Sequence, residues 1–506
     1  MPTPLGPSAA RTTSFVGADT PIRVVSAPMG PDHRASTGRR RTSTSNFGVS
    51  GRESHDASGF YDRFRAPELS TDTTLLPPSP VDESFVVGDA RAMTSIRDGS
   101  VALVVTSPPY FAGKAYEEEL ATEGIPASYL EYLEMLTEVF AECVRVLEPG
   151  GRIAVNVANL GRRPFRSLAA DVTRILEHDL GLLLRGEIIW QKAEGARGSC
   201  AWGSYRSASN PVLRDLTERV IVASKGRFDR GLPVAKRAAR DLPHETTVLT
   251  DEFLSMTLDV WSIPPESARR VGHPAPFPVE LPEQLIRLYT FVDDLVVDPF
   301  MGSGSTLVAA SRLRRRYVGY DLDPAYVALA AQRVADEGRP LELSGRRALA
   351  TAEGLGATAL AGAALGEAGF TIVGTDVKVP RSSITLPFSV EDADGRRFLV
   401  EVGGTFVSRR GGLLRPDVAV RALGRLAAVR GRLGPNVGLL LLTTDLPEPS
   451  HEADQMLRAA GPTLVADVVD LFDDAAMARL GRYARGGAIE AGWWSNDELA
   501  ASEGQR

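Results

Sequence analysis

The feature that most constrains this chain is a regular alternation of short apolar runs with helix-like segments between residues 84 and 336. Phe85–Val87 and Val101–Val105 are short and rich in β-branched residues, which is typical of buried strands. Between Tyr129 and Leu147 apolar residues recur at helical spacing, and Pro149–Gly151 ends that segment. Strands that alternate with helices indicate a parallel sheet covered by helices on both faces.

The same alternation continues along the chain. It predicts strands over 152–157, 183–190, 295–297 and 317–320, and helices over 167–176, 281–289, 305–313 and 324–334. Residues 190–280 interrupt the alternation with Gly, Ser and Pro, so we interpret them as an insertion of loops.

The length of 506 residues predicts two or three domains. Residues 1–80 are rich in Ser, Thr, Arg, Pro and Gly without an apolar period, which predicts a disordered tail. Residues 81–340 form the predicted α/β domain. Residues 341–506 follow an Ala/Gly-rich stretch and form a predicted separate domain of mixed α/β type.

Composition narrows the class of protein. No apolar run is long enough to span a membrane and no secretion signal is visible, so we expect a cytoplasmic protein. Two cysteines argue against disulfides and a cysteine-built zinc site, and no metal is predicted. The net charge of −7 does not indicate nucleic-acid binding, but basic residues outnumber acidic ones between 152 and 240. That region is either a solvated surface or a phosphate-binding one.

A loop with two consecutive prolines, Thr106–Tyr110, directly follows the strand Val101–Val105. Its position predicts that it lies in the crevice beyond the carboxyl ends of the strands. The prolines lack N–H donors, so the loop presents carbonyl oxygens, which suit a substrate amino group. Tyr110 offers a ring on which a base can stack. By itself this loop is more simply explained as a Pro-Pro turn that has no function.

A second loop, Asp298–Thr306, joins a buried strand to a helix and contains a Gly-Ser-Gly turn. Closely spaced glycines let a ligand approach the backbone at a helix N-terminus. The loop lacks the Gly-Lys-Ser/Thr of a nucleotide-phosphate loop. Asp321 ends the next strand about 20 residues later, where an acidic side chain binds ribose hydroxyls. Asp323 is the alternative for that role, although it is equally suited to cap the following helix.

Together the two loops resemble those of circularly permuted amino-methyltransferases of DNA, in which the catalytic motif precedes the cofactor motif. Ser107–Tyr110 is similar to the catalytic motif of that family, and Asp298–Phe300 with Gly302–Gly304 is similar to its cofactor motif. Three further segments resemble the family: Gly88–Ala90, Trp190–Lys192 and Gly272–Pro278. The resemblance implies a Rossmann-like methyltransferase sheet between residues 84 and 336.

The resemblance also implies a cofactor and roles for individual residues. S-adenosylmethionine is the implied methyl donor, with Asp298 near its amino group, Asp321 at the ribose and Asp89 near the adenine. The implied cofactor-binding residues are Asp89, Asp298, Pro299, Phe300, Gly302, Ser303, Gly304 and Asp321, and the implied catalytic residues are Ser107, Pro108, Pro109 and Tyr110. We interpret His273 as an ordinary residue packed by its proline neighbours.

The predicted reaction is methylation of an exocyclic amino group of a flipped base. Within the family, serine at position 107 favours cytosine N4, whereas Asp or Asn favours adenine N6, and the adenine alternative stays open. Methylation at cytosine C5 needs a cysteine beside a proline, and neither Cys143, in a helical pattern, nor Cys200 fits. An RNA or protein N-methyltransferase, and a DNA-binding module with a relic pocket, are further alternatives.

The predicted partner is double-stranded DNA, with a cognate restriction endonuclease as an open second partner. The loop-rich 190–280 region is the candidate DNA contact, because its loop from Gly195 to Asn210 mixes cations with aromatic rings. The candidate DNA-binding residues are Arg197, Trp202, Tyr205 and Arg206.

Residues 341–506 loosely resemble a restriction-endonuclease core. Strands are predicted over 370–379, 384–391, 397–402 and 437–443, and a helix over 417–429. Such a core uses an Asp on one strand and a Glu-x-Lys on the next. Here Glu401-Val402-Gly403 has glycine in place of lysine, and Ile384–Val390 contains no aspartate. We therefore predict a domain that does not cleave DNA, and an unrelated α/β interaction domain is the open alternative.

Overall fold

The computed structural model describes residues 69–109, 126, 128–159, 165–193, 209, 211, 213, 216–272, 276–339, 345–352, 355–404, 407 and 411–503. Residues 1–68 of the predicted tail lie outside the described residues. Residues 69–80 have no regular secondary structure but lie against the domain, because Ser70 N–H donates to the Gly226 carbonyl (2.6 Å) and Arg227 donates to the Asp72 carbonyl (2.6 Å). The tail over 1–80 stays a prediction, with its last residues in contact with the domain.

The described strands form two sheets. In chain order they are β1 (Phe85–Val87), β2 (Val101–Thr106), β3 (Leu147–Val157), β4 (Leu183–Gln191), β5 (Thr217–Ser224), β6 (Val260–Ser262), β7 (Leu295–Asp298), β8 (Arg316–Asp321), β9 (Thr371–Lys378), β10 (Thr385–Glu391), β11 (Arg397–Gly403), β12 (Gly438–Thr443) and β13 (Asp467–Asp470). The first sheet has the order β1-β8-β7-β2-β3-β5-β4-β6, and the second has the order β13-β12-β11-β10-β9.

Fourteen helices lie in the described part of the chain. They are α1 (Tyr129–Val146), α2 (Leu168–Arg174), α3 (Val234–Ala238), α4 (Thr250–Met256), α5 (Ala268–Val271), α6 (Glu280–Tyr289), α7 (Ser305–Arg312), α8 (Pro324–Glu337), α9 (Gly345–Ala352), α10 (Ala357–Ala368), α11 (Pro416–Leu433), α12 (Glu452–Leu464), α13 (Asp474–Ala484) and α14 (Asn496–Glu503). A π-helical turn continues α2, and α12 is broken at Gly461. No helix in the described ranges is long and apolar enough to cross a membrane.

The first sheet is buried on both faces, as the continuous apolar runs predict. All six residues of β2 are buried. Val104 packs in the cluster that includes residues of α1 and α2, whereas Leu103 and Val105 pack in the cluster that includes residues of α6, α7 and α8. Successive side chains of a strand point to opposite faces, so one apolar run supplies both core layers.

The strand order reverses between β2 and β7. These strands are parallel neighbours, but the chain continues from β2 towards β3 on one side and from β7 towards β8 on the other. The loops after the two strands therefore diverge and leave a crevice at the carboxyl ends, where open α/β sheets bind ligands. Thr106–Tyr110 and Asp298–Thr306 are the two loops that follow these strands.

The sheet is mixed rather than parallel, and this corrects the sequence analysis. β5 lies between β3 and β4 and runs antiparallel to both. The sequence pattern assigns its residues to a loop insertion because of the Gly, Ser and Pro content of 190–280, although Val220–Ala223 is a short apolar run of strand type. Glu218 is buried, with partners on other strands. A charged residue buried by distant partners leaves no periodic signal in the sequence.

The second sheet combines antiparallel strands with a parallel part. β9, β10 and β11 are antiparallel, and β11, β12 and β13 are parallel. Residues of α10 and α13 pack in one core cluster, and residues of α11 and α12 pack in the other. The predicted strands and the helix α11 agree with this arrangement, while β13 was not predicted. Arg415, which precedes α11, forms an ion pair with Glu280 of α6 (2.8 Å).

Candidate active site at the crevice between β2 and β7

The proline loop begins at the crevice. Pro108 is buried, and Ser107 and Pro109 are half-buried. Tyr132 of α1, which is 1% exposed, donates its hydroxyl hydrogen to the Pro109 carbonyl (2.7 Å). The sequence analysis missed Tyr132, because an apolar helical pattern hides a buried hydroxyl. Helix α1 therefore holds the loop through this hydrogen bond. Tyr110 lies outside the described residues.

A hydrogen bond joins the two loops. Thr106, the last residue of β2, donates its hydroxyl hydrogen to Asp298 Oδ1 (2.7 Å), and Phe300 N–H donates to the same oxygen (3.1 Å). Both Thr106 and Asp298 are fully buried. This contact brings the predicted catalytic loop and the predicted cofactor loop together at one point of the crevice.

The second carboxylate oxygen of Asp298 is left without a partner. Oδ2 is buried and accepts no hydrogen bond, and no basic side chain in the described parts of the chain pairs with Asp298. Burial raises the pKa of Asp298 to about 6, although the hydrogen bond from the Thr106 hydroxyl lowers it. The Thr306 hydroxyl donates to the Val105 carbonyl (3.3 Å). A buried carboxylate without a cation is costly, so this residue is suited to a cationic ligand.

Asp321 ends β8 beside the glycine turn. Its carboxylate accepts Gly302 N–H (3.0 Å) and Asp323 N–H (2.9 Å), one on each oxygen. Burial raises the pKa of Asp321, and these backbone donors lower it. Each oxygen retains a second lone pair that can accept from a ligand hydroxyl. Asp323 is the N-cap of α8, where its side chain accepts Ala325 N–H (2.7 Å). It therefore has the helix-capping role that was the alternative to ribose binding.

The glycine turn is shaped by close packing. Gly304 has φ of +80° and precedes α7, and a Cβ there would lie 2.8 Å from the Ala330 Cβ. Ser303 is buried, and its carbonyl and hydroxyl accept hydrogen bonds from Arg333 (2.8 and 3.1 Å). Gly304 and Ser303 thus also have structural roles that the motif did not reveal. Pro299 is buried and Phe300 is half-buried at the same turn.

Asp89 lies at the far end of the crevice. β1 pairs with β8, and Gly88 N–H donates to the Asp321 carbonyl (3.0 Å), so the turn containing Asp89 is next to Asp321. The Asp89 carboxylate accepts Arg91 N–H (2.9 Å) and a side-chain hydrogen bond from Arg91, which lowers the pKa of Asp89. Leu322, which follows Asp321, is 53% exposed and adds an apolar side chain that the sequence analysis did not select.

Three polar residues form a hydrogen-bonded group beside Ser107 that the sequence pattern does not indicate. Asn156 of β3 donates to Ser107 Oγ (3.4 Å) and to Glu218 of β5 (2.6 Å), and Lys192 donates to Glu218 (3.0 Å). In the sequence, Lys192 is distinguished only as part of a resembling segment. The three residues are far apart along the chain, and only the order of β3, β5 and β4 brings them together.

Several predicted residues cannot be placed. The candidate DNA contacts Arg197, Trp202, Tyr205 and Arg206 lie outside the described residues, as do His273 and Cys200. Cys143 is a core residue of α1, as predicted, and burial raises the pKa of its thiol.

The basic 152–240 region is only partly a free surface. Arg237 is buried and the side chain of Arg230 is 9% exposed, and Arg230 forms ion pairs with Glu148 (2.6 Å) and Asp294 (2.5 Å). Arg166 pairs with Asp171 (2.8 Å). The charges of Arg230 and Arg237 are therefore paired inside the protein, whereas the side chain of Arg166 is 62% exposed despite its ion pair.

In sequence, the chain is similar to known DNA methyltransferases. Residues 101–332 match the family model described as DNA methylase, of the N6/N4 methyltransferase type. The type II methyltransferase M.MjaI of Methanocaldococcus jannaschii is 28% identical over 286 residues, which are 50% of this chain and 91% of that protein. M.HpaI of Haemophilus parainfluenzae, another type II methyltransferase, is 27% identical over 263 residues, which are 51% of this chain and 76% of that protein.

Solved structures show similar partial coverage. A protein described as a putative DNA modification methylase of Thermus thermophilus, complexed with S-adenosyl-L-methionine, is 32% identical and covers 50% of this chain and 94% of its own, with a TM-score of 0.37. The cytosine-N4-specific PvuII DNA methyltransferase is 22% identical and covers 57% and 96%, with a TM-score of 0.38. The family model ends at residue 332, before the second sheet begins. With its two motif loops at one crevice, the chain belongs to the N6/N4 family of DNA methylases.

Proposed function

We propose that this protein is a site-specific DNA methyltransferase that transfers a methyl group from S-adenosylmethionine to cytosine N4. The observation that carries the proposal is the Thr106–Asp298 hydrogen bond of 2.7 Å, because it holds the substrate loop against the cofactor loop. Two reactants that are held side by side react much faster than two that meet by diffusion. Adenine N6 is the alternative acceptor.

The cofactor fits the residues of the crevice. The buried Oδ2 of Asp298 lacks a partner and would accept from the ammonium group of the methionine part. The remaining lone pairs of Asp321 would accept from ribose hydroxyls, and the half-exposed Leu322 would cover one face of the adenine. The bound cofactor supplies a methyl group on a positively charged sulfur.

The proline loop would activate the acceptor nitrogen. The lone pair of an exocyclic amino nitrogen is conjugated with the ring, so the nitrogen is a poor nucleophile. Ser107 Oγ and the Pro108 carbonyl would accept its two hydrogens, which favours a pyramidal nitrogen with an available lone pair. The N–C bond then forms as the C–S bond breaks, and the nitrogen releases one proton to solvent. Tyr132 keeps the loop in place through the Pro109 carbonyl.

The test is direct. We expect purified protein with S-adenosylmethionine to produce N4-methylcytosine in double-stranded DNA, measured by mass spectrometry of digested nucleosides. Ser107→Ala is expected to slow transfer by roughly 10²- to 10³-fold, the usual cost of removing one hydrogen bond to the reacting group. Accumulation of N6-methyladenine alone would show that the base assignment is wrong. Methylation of RNA or protein without methylation of DNA would refute the DNA substrate.

We also propose that the partner of this enzyme in the cell is a restriction endonuclease of the same specificity. The relatives M.MjaI and M.HpaI are type II methyltransferases, and a methylated site protects DNA from a nuclease that recognises it. Restriction-sensitive plasmid that becomes resistant after methylation by this protein would identify the shared site. The proposal would be contradicted if every endonuclease that recognises the methylated sequence still cut the methylated plasmid.

A further inference from the structure

A buried polar chain lies behind Ser107 on the side away from the cofactor loop. Lys192 Nζ donates to Glu218 Oε1 (3.0 Å), and Asn156 Nδ2 donates to Glu218 Oε2 (2.6 Å). Asn156 Nδ2 also donates to Ser107 Oγ (3.4 Å). Asn156 is 2% exposed and Glu218 is 8% exposed, so water does not replace these contacts.

Glu218 determines which way the Asn156 amide faces. An ionised carboxylate can only accept hydrogen bonds, so the NH2 group rather than the oxygen of Asn156 must face Glu218. The two hydrogens of that NH2 group then point to Glu218 and to Ser107 Oγ. With the amide reversed, two oxygens would face each other at 2.6 Å. Glu218 therefore makes Asn156 a donor to the serine.

We propose that Glu218 is a positioning residue for methyl transfer, acting through Asn156 on Ser107. This inference rests on the proposed function and extends it to residues outside the two motif loops. A hydrogen bond from Asn156 occupies one lone pair of Ser107 Oγ, and the serine hydrogen cannot be given to the Asn156 NH2 group. This contact would fix the orientation in which Ser107 Oγ meets the base amino group.

Lys192 completes the arrangement. A carboxylate that is almost fully buried is stable in its charged form only with a positive partner and hydrogen bonds. Lys192 supplies the charge, and its side chain is 25% exposed, whereas that of Glu218 is 11% exposed. The ion pair thus keeps Glu218 an acceptor on both oxygens.

The test compares Glu218→Gln with a matched control. A glutamine at 218 has one oxygen and one NH2 group, so in either orientation it presents a donor to Asn156 or to Lys192. Glu283→Gln is the control, because Glu283 is also 8% exposed and pairs with Arg312 (3.1 Å) on the helical layer. We expect Glu218→Gln to lower the single-turnover rate of methyl transfer by about 10- to 100-fold. Both variants should bind S-adenosylmethionine as the wild type does.

A double-mutant cycle separates positioning from general stability. If Glu218 acts through Ser107, Glu218→Gln should have no further effect on the rate in the Ser107→Ala background. Asn156→Ala should slow transfer in the same non-additive way, and it replaces Glu218→Gln if thermal unfolding shows that the latter is not folded.

Four results would contradict the inference or its basis. An unchanged single-turnover rate in folded Glu218→Gln overturns it, and so does an equal slowing in Glu283→Gln. Multiplicative slowing in the Ser107→Ala background shows that Glu218 does not act through the serine. Wild-type protein that transfers no methyl group to DNA overturns the proposed function instead.

Discussion

The chain contains two α/β sheets, and each has a fully buried aspartate at one end of a strand, in one case without a cation beside it among the described residues and in the other with one. In the first sheet, Asp298 at the end of β7 is fully buried, and within the described residues it has no cation beside it. In the second sheet, Asp467 at the start of β13 is equally buried but accepts Arg479 Nε (2.7 Å) and the Tyr483 hydroxyl (3.1 Å). Burial raises the pKa of both carboxyls. A buried acid without a partner is available to a ligand, whereas a paired acid serves the fold.

The same contrast extends to Glu401, the residue expected in a nuclease motif. Its carboxylate forms an ion pair with Arg425 of α11 (2.9 Å), so an arginine lies where a metal ion would be needed. Gly403 replaces the lysine of that motif, and a Cβ at this position would lie 2.9 Å from a Leu413 side-chain carbon. In the described residues of the second sheet and elsewhere, no three His, Cys, Asp or Glu side chains converge as a metal site.

The largest expected effect is on the stability of the second sheet. Asp467→Asn removes the charge that compensates the buried Arg479, so we expect the free energy of unfolding to fall by roughly 3–5 kcal/mol. Urea unfolding at pH 7.5 measures the change. A loss below about 1 kcal/mol, the size of an ordinary surface ion pair, would contradict the view that this acid is structural.

Asp298→Asn should have the opposite sign in the ligand-free protein. The pKa of Asp298 is raised from 3.8 to about 6, which corresponds to a cost of about 3 kcal/mol when the folded protein must ionise it. This cost is absent below about pH 4, grows as the pH rises from about 4 to about 6, and is fully present above that. We therefore expect Asp298→Asn to be more stable than the wild type at pH 7.5, with a smaller advantage at pH 4.5.

The same variant should bind S-adenosylmethionine more weakly, since it lacks the charge proposed to hold the ammonium group. Urea unfolding at the two pH values and calorimetric titration with the cofactor provide both measurements. If Asp298→Asn is less stable than the wild type at pH 7.5, Asp298 stabilises the fold as Asp467 does, and the two sheets do not differ in this respect.

A smaller effect is expected at Asp321. Asp321→Asn loses one of the carboxylate oxygens that accept Gly302 N–H and Asp323 N–H and that are proposed to bind the ribose, so the dissociation constant of S-adenosylmethionine should rise by about tenfold or more. Asp445→Asn is the matched control, because Asp445 also follows a parallel strand, accepts Gly411 N–H (3.0 Å) and pairs with Arg347 (2.8 Å). Equal weakening in both variants would refute a specific ribose contact.

The last prediction is that the protein does not cleave DNA. Because Glu401 is paired with Arg425 and the lysine position is occupied by Gly403, incubation of the protein with unmethylated plasmid and Mg²⁺ or Mn²⁺ should produce no nicks. Gel electrophoresis of the plasmid measures this. Cleavage that disappears on Glu401→Ala would show that the second domain is an active nuclease.

The sequence alone determined the class of fold, the two motif loops, most of the strands of both sheets and most of the helices that pack on them. Continuous apolar runs such as Val101–Val105 mark strands buried on two faces, and a motif such as Ser107–Tyr110 is read within a few neighbouring residues. Only the tertiary structure decided which polar groups have partners. The Asn156–Glu218–Lys192 chain depends on strand order, and the contrast between Asp298 and Asp467 depends on whether an arginine of a packed helix faces the carboxylate. Local patterns record the burial of apolar residues, whereas the pairing of a buried charge depends on residues far apart in the chain.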